Sequence, residues 1–273
     1  MKTYEAELFI KGTYQIAESP FYDERFKRLS WVDIVEGKLY SMTEDDKIDS
    51  VDFKQMIGAA VPMSDSEGFL VAGTDGLYIY ESGVIDKIYD LTSEYKPYQR
   101  SNDAKMDPEG RLYFGSTVYD DEHPNQGNLY SYEDGVVTVR QANTRLANGM
   151  AWNKAGDKFY FSDSIEKKVF VYDYDRMTGE ISNRNVLFTV TEGVPDGMCI
   201  DDNDNIWLAV WGGSRLELHD GVVGNELAKI NVPAKQVSSC CFYGDSKRLF
   251  ITTAGVGLDG ELDGSLFTCE IEG

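Results

Sequence analysis

Six short apolar segments recur along the 273-residue chain at almost constant intervals: LSWVD at 29–33, FLVAG at 69–73, LYFGS at 112–116, FYFSD at 159–163, IWLAV at 206–210 and LFITT at 249–253. Their first residues are 40, 43, 47, 47 and 43 positions apart, and a second apolar segment follows each: 39–42, 77–80, 129–132, 169–172, 216–219 and 266–269. Each pair reads as a β-hairpin. One such unit cannot bury both of its faces alone, so a period in the forties built from short strands and turns is the pattern of propeller blades. The expected fold is all-β: a six-bladed β-propeller of four-stranded blades, forming a single domain over residues 1–273. Residues 5–11 precede the first full unit. They are expected to pair with the last blade, closing the ring so that no sheet edge is exposed.

Charge narrows the partners. Lys and Arg total 26 against 47 Asp and Glu, a formal net charge of −21, which opposes binding to phosphate backbones and anionic lipid. Neither nucleic acid nor membrane is an expected partner. The first ten residues lack the apolar core and cleavage site of a signal peptide, and no apolar run approaches bilayer length, so a cytoplasmic protein is expected. The four cysteines, Cys199, Cys240, Cys241 and Cys269, fall in strand-like segments. They are expected to be reduced, buried thiols.

The repeat also supplies a coordinate system for polar residues. Counting back from the lead apolar residue of a repeat reaches Glu18 at 11, Asn102 at 10, Asn148 at 11, Asp196 at 10 and Ser239 at 10 positions. In a propeller the first strand of each blade lines the central channel, so residues at its first position meet at one mouth. Glu18, Asn148 and Asp196 would converge there. Two carboxylates and an amide oxygen suit a hard divalent cation such as calcium, magnesium or manganese. The plainer alternative is that polar residues at strand starts cap turns.

Six stretches around these positions are AESP at 17–20, LSWVDI at 29–34, RSNDAKMDPEGR at 100–111, LANGMAW at 146–152, VPDGMCI at 194–200 and VSSCCF at 237–242. Together they resemble the senescence-marker-protein/gluconolactonase family, the regucalcin-like sugar lactonases, in the family's order and over nearly the whole chain. The resemblance implies a six-bladed propeller with one catalytic divalent metal, calcium first and zinc, manganese or magnesium as alternatives. It places the metal ligands on Glu18, Asn148 and Asp196. It also places substrate-binding residues on Arg100 and Asn102, with Asp103 directly after them. A family acid that contacts sugar hydroxyls falls at Asp120, where this chain carries the shorter acid.

Such a set suits hydrolysis of a small cyclic ester, a sugar-derived lactone, by a monomer or weak homo-oligomer. The metal would polarise the carbonyl and acidify a water. Asp196 would take the water's proton, or else serve as a ligand only. Arg100 and Asn102 would hold polar groups of the substrate. Two other functions share the fold: hydrolysis of organophosphate esters, which needs a more apolar pocket, and a non-catalytic, metal-plugged propeller that binds proteins. A Ser/His or Cys/His mechanism has little support. There is no G-x-S-x-G elbow, and the only histidines are His123, in a long loop, and His219, on a strand.

Overall fold

Alternation of side chains along each strand decides what packs where. The computed structural model describes residues 2–43, 45–120 and 122–271. The expected domain span of 1–273 therefore includes Met1, Glu44, Asp121, Glu272 and Gly273, which lie outside the described residues.

The chain opens with β1 (Lys2–Glu5) and β2 (Glu7–Ile10), and four antiparallel four-stranded sheets follow in order. The first two are β3 (Ala17–Asp23), β4 (Arg28–Asp33), β5 (Lys38–Met42) and β6 (Ile48–Asp52), then β7 (Ile57–Pro62), β8 (Phe69–Gly73), β9 (Gly76–Glu81) and β10 (Val84–Asp90). The next two are β11 (Gln99–Met106), β12 (Leu112–Val118), β13 (Gly127–Glu133) and β14 (Val136–Thr144), then β15 (Ala147–Trp152), β16 (Lys158–Asp163), β17 (Lys168–Asp175) and β18 (Glu180–Thr189). The remainder forms one nine-stranded sheet: β19 (Val194–Ile200), β20 (Ile206–Trp211), β21 (Arg215–His219), β22 (Glu226–Asn231), β23 (Gln236–Tyr243), β24 (Asp245–Ala254) and β25 (Leu266–Glu270), with β1 and β2 added.

This last sheet departs from the expected set of separate four-stranded units. A single residue pair, Trp211 with Gln236, links β20 to β23. β1 adds to β22 in parallel, from Lys2 opposite Ala228 to Glu5 opposite Asn231. Nothing in the sequence of β1 marks this pairing. β2 pairs antiparallel with β25.

Each of β3, β7, β11, β15, β19 and β23 packs on the next, and β23 packs on β3. The hydrophobic clusters lie between neighbouring sheets rather than in one central core. Along β4, Leu29 and Trp31 join Phe250 and Leu266, whereas Val32 joins Phe69 and Val71. Residues two apart share a face and successive ones do not. Both faces of β4 are therefore buried, which explains why its sequence is apolar without strict alternation.

The strands that carry the candidate site are all bulged near their starts. Register shifts fall between Glu18 and Phe21, Ser101 and Ala104, Ala147 and Met150, and Pro195 and Met198. Asn102, Asn148 and Asp196 thus sit at the unpaired positions, where a bulge re-aims a side chain. Glycine lets neighbouring bulges approach closely. A Cβ on Gly58 would lie 1.9 Å from the Asn102 carbonyl oxygen, and one on Gly149 would lie 2.5 Å from that of Asp196. Gly58→Ala is expected to destabilise the protein by about 1–3 kcal/mol, because backbone must shift. Denaturant unfolding checks this, and an unchanged midpoint would refute the close approach.

Candidate active site

The bulges bring Glu18, Arg100, Asn102, Asn148 and Asp196 to one cavity of about 320 Å³. Its other lining residues are Ile16, Ile34, Leu146, Ser164, Ile165, Val194 and Trp211. Glu18, Asn102, Asn148 and Asp196 are each buried and form the floor.

Hydrogen bonds from the same strand and from neighbouring ones hold the floor residues in place. The Ser19 amide donates to Glu18 Oε2 at 2.5 Å. The Ser162 hydroxyl donates to the Asp196 carbonyl at 2.8 Å. Asn102 Nδ2 donates to the Ala147 carbonyl at 2.9 Å, while its Oδ1 accepts from Arg100 Nη1 at 2.8 Å. Asn102 thereby spends both ends of its amide in aiming Arg100, which also donates to the Ser101 carbonyl.

Asn148 is different. Its Nδ2 donates to Asp196 Oδ1 and, at 3.2 Å, to the Ser164 hydroxyl, and its Oδ1 is buried with no hydrogen-bond partner. An orphaned buried amide oxygen costs about 1–3 kcal/mol unless something fills its lone pairs. Burial, followed by the charges of Asp196 and Asp103, pushes the Glu18 carboxyl well above the usual carboxylate range. Burial and Asp103 do the same to Asp196, against the Asn148 hydrogen bond and the Arg100 charge. Burial lowers Arg100 to about 10, opposed by Glu18 and Asp196. Two crowded carboxyls and a partnerless amide oxygen fit a hard cation, which would satisfy all three at once. Among the described residues no group of three or more His, Cys, Asp or Glu side chains gathers as a metal site. The candidate set depends on an amide.

Two expected substrate contacts are not in the cavity wall. Asp103 takes the bulge position that glycine occupies in Asn148-Gly149 and Asp196-Gly197, and it does not line the cavity. It is buried, accepts from the Ala104 amide at 2.8 Å, and burial raises its carboxyl to about 6. Asp120 caps its own loop. It accepts from the Glu122 and His123 amides and from His123 Nδ1 at 3.0 Å, while the His123 ring stacks on Tyr98 at 3.6 Å.

Asp33 and Asp163 end β4 and β16 and work indirectly. Asp33 accepts from the Gln15, Ile16 and Glu36 amides, and Asp163 from the Arg145, Leu146 and Glu166 amides. They fix the chain at Ile16, Ile34, Leu146 and Ile165, four apolar wall residues that sequence reasoning missed. The available signal was Ile34 and Ile165 in hairpin turns, where polar residues are the rule. The four cysteines are free and buried, with Cys199 and Cys240 sulfurs 3.5 Å apart. No helix among the described residues is long and apolar enough to cross a membrane.

Comparison with known proteins shows the family and the fold. The family model described as SMP-30/Gluconolactonase/LRE-like region matches residues 16–255. Regucalcin of Danio rerio is 33% identical over 270 residues, covering 96% of this chain and 90% of the relative. A Bacillus subtilis (strain 168) protein that carries the name sugar lactone lactonase YvrE, qualified there as unproven, is 36% identical over 246 residues, covering 88% of this chain and 83% of the relative. The crystal structure of a calcium-binding protein, regucalcin, from Agrobacterium tumefaciens superposes with a TM-score of 0.92 at 27% identity, covering 100% of this chain and 96% of that one.

Proposed function

The chain belongs to the SMP-30/gluconolactonase/LRE-like family, and from that premise we propose that it is a divalent-metal-dependent hydrolase that opens a sugar-type lactone. The observation that carries the reading is the meeting of Glu18, Asn148 and Asp196, with Asn148 Oδ1 unpartnered, beside Arg100 at the floor of one cavity.

Glu18, Asn148 and Asp196 would hold the cation, with calcium first because a regucalcin of this fold is called calcium-binding, and magnesium, manganese or zinc as alternatives. When bound, such a cation supplies Lewis-acid polarisation of a carbonyl and lowers the pKa of a water. The chain's own residues do the rest. Arg100, aimed by Asn102, donates hydrogen bonds to lactone oxygens and fixes the ring's orientation. Asp196 accepts the proton of the attacking water. The ring C–O bond breaks, the proton held by Asp196 passes to the departing ring oxygen, and the hydroxy acid leaves.

The same reading takes the four four-stranded sheets, β19–β22 and β23–β25 with β2 as six blades of one closed propeller. The ring of contacts from β3 round to β23 supports it.

Hydrolysis of several aldonolactones and of plain and alkyl-substituted δ-lactones, followed with a pH indicator across calcium, magnesium, manganese and zinc, tests the activity. Ring opening that never exceeds the uncatalysed rate with any metal would sink the proposal. Binding is testable without turnover. At a hundredfold excess over Kd, the preferred cation is expected to raise unfolding stability by about 2.7 kcal/mol, and Asn148→Ala is expected to remove most of that gain. Equal stabilisation of parent and variant would place the cation elsewhere. The apolar cavity wall keeps ester or organophosphate hydrolysis as the second reading, and rates on gluconolactone against a fluorophosphate separate the two.

A further inference from the structure

The cavity is polar only at its floor. The residues that lead from it toward solvent are Ile16, Ile34, Leu146, Ile165, Val194 and Trp211, of which Ile165 is exposed and only Ile34 is fully covered. The polar side chain in this wall, Ser164, is already committed: its hydroxyl donates to the Pro195 carbonyl at 2.7 Å and accepts from Asn148. Asp120, the acid that the resemblance offered for sugar hydroxyls, is turned to His123. A fully hydroxylated lactone seated with its carbonyl on the floor would press its outer hydroxyls against branched aliphatic side chains and an indole. Hydroxyls desolvated without partners oppose binding, whereas hydrocarbon in the same place favours it.

We infer that the preferred substrate is a lactone whose far end is hydrocarbon, an alkyl-substituted or deoxygenated lactone rather than a fully hydroxylated aldonolactone. The inference rests on the lactonase reading of the floor and adds the substrate class. The floor sets the reacting end of the substrate. The wall, Ile165 and Trp211 above all, sets the other.

The test uses the calcium-loaded protein and δ-lactones bearing no substituent, methyl, propyl or pentyl at the ring carbon next to oxygen, with glucono-δ-lactone alongside. The kcat/KM is expected to rise about fourfold per methylene until the wall is filled, and glucono-δ-lactone is expected to fall below the methyl compound. A flat series, or glucono-δ-lactone as the best substrate, would overturn the inference. Ile165→Asn, at an exposed position, is expected to lower the ratio of pentyl to unsubstituted kcat/KM at least threefold, mainly through KM. An unchanged ratio would count against the wall.

A binding measurement separates this inference from the lactonase reading. The matching alkyl δ-lactams keep ring and carbonyl, and their affinities are read by calorimetry. If no lactone is opened yet lactam affinity climbs with chain length, the lactonase reading fails and takes the lactone substrate with it, while the wall's preference for a hydrocarbon end stands. If lactones are opened and lactam affinity is flat, the reading stands and the inference falls.

Discussion

Asp196→Asn is expected to lower kcat/KM for lactone opening by about 10³-fold, while the metal-free protein becomes more resistant to heat. The two effects have one cause. Glu18 and Asp196 are both buried, and burial holds both carboxyls above their usual range, joined by the charges of Asp196 and Asp103 at Glu18 and of Asp103 at Asp196. Without a cation the charged form of these carboxyls is disfavoured, with Arg100 offsetting part of the cost at Asp196. An amide at 196 keeps the shape, and its oxygen can still accept from Asn148. It removes both the repulsion and the proton acceptor. The gain in metal-free stability is expected to be about 1 kcal/mol, in the range of other substitutions that relieve a functional site. Parallel thermal melts with and without calcium check it: the variant should exceed the parent without calcium and fall behind with it. Activity within tenfold of the parent would remove Asp196 from the chemistry. A lower melting temperature without calcium would show that the floor is not electrostatically strained.

Sequence made the floor legible and left the wall hidden, for a physical reason. Glu18, Asn148 and Asp196 stand at equivalent places in repeats whose period is set by strand length and turn length, so counting alone aligned them. Asp103 came with Asn102 through the resemblance, not through counting, and neither registers the bulge between Ser101 and Ala104; its carboxyl is outside the cavity lining, though its charge acts on Glu18 and Asp196. The wall comes from turns and strand ends of several sheets. Ile34 and Ile165 follow the aspartates that end β4 and β16, and Trp211 ends β20. Their meeting depends on how neighbouring sheets are inclined, which no local pattern encodes. Asp120 was misplaced for a related reason: in a long loop a carboxylate caps nearby amides before it reaches across a cavity. Lys2–Glu5 shows the limit at the other extreme. A strand added in parallel to the distant β22 carries no local signal of its partner.

Arg111→Ala is expected to cost about 3–5 kcal/mol of stability without changing the chemistry of the folded enzyme. Arg111 lies in the turn between β11 and β12, at the opposite end of β11 from Arg100, and is buried where the third sheet meets the β17–β18 turn of the fourth. Its Nε donates to Glu133 at 2.9 Å, its Nη1 to Asp107 at 3.1 Å and to the Arg176 carbonyl at 3.0 Å, and its Nη2 to the Met177 carbonyl at 2.9 Å. Burial alone would depress the guanidinium, but Glu133 and Asp107 outweigh it and raise its pKa. Truncation leaves Asp107, buried with Tyr174, without its counter-charge, and two carbonyls of the β17–β18 turn without donors. At roughly 2–4 °C per kcal/mol for a chain of this size, the melting temperature should fall by roughly 10 °C. Arg111→Lys should recover only a small part, since one ammonium cannot reproduce a planar fork with four separate acceptors. A loss below about 1 kcal/mol would mean that water replaces the guanidinium at little cost. Because each sheet packs mainly on its neighbours, the loss at this interface weakens the packing of the third sheet on the fourth, yet kcat/KM of the protein that remains folded at 25 °C should match the parent. A matching fall in kcat/KM would instead show that the floor depends on this interface for its geometry.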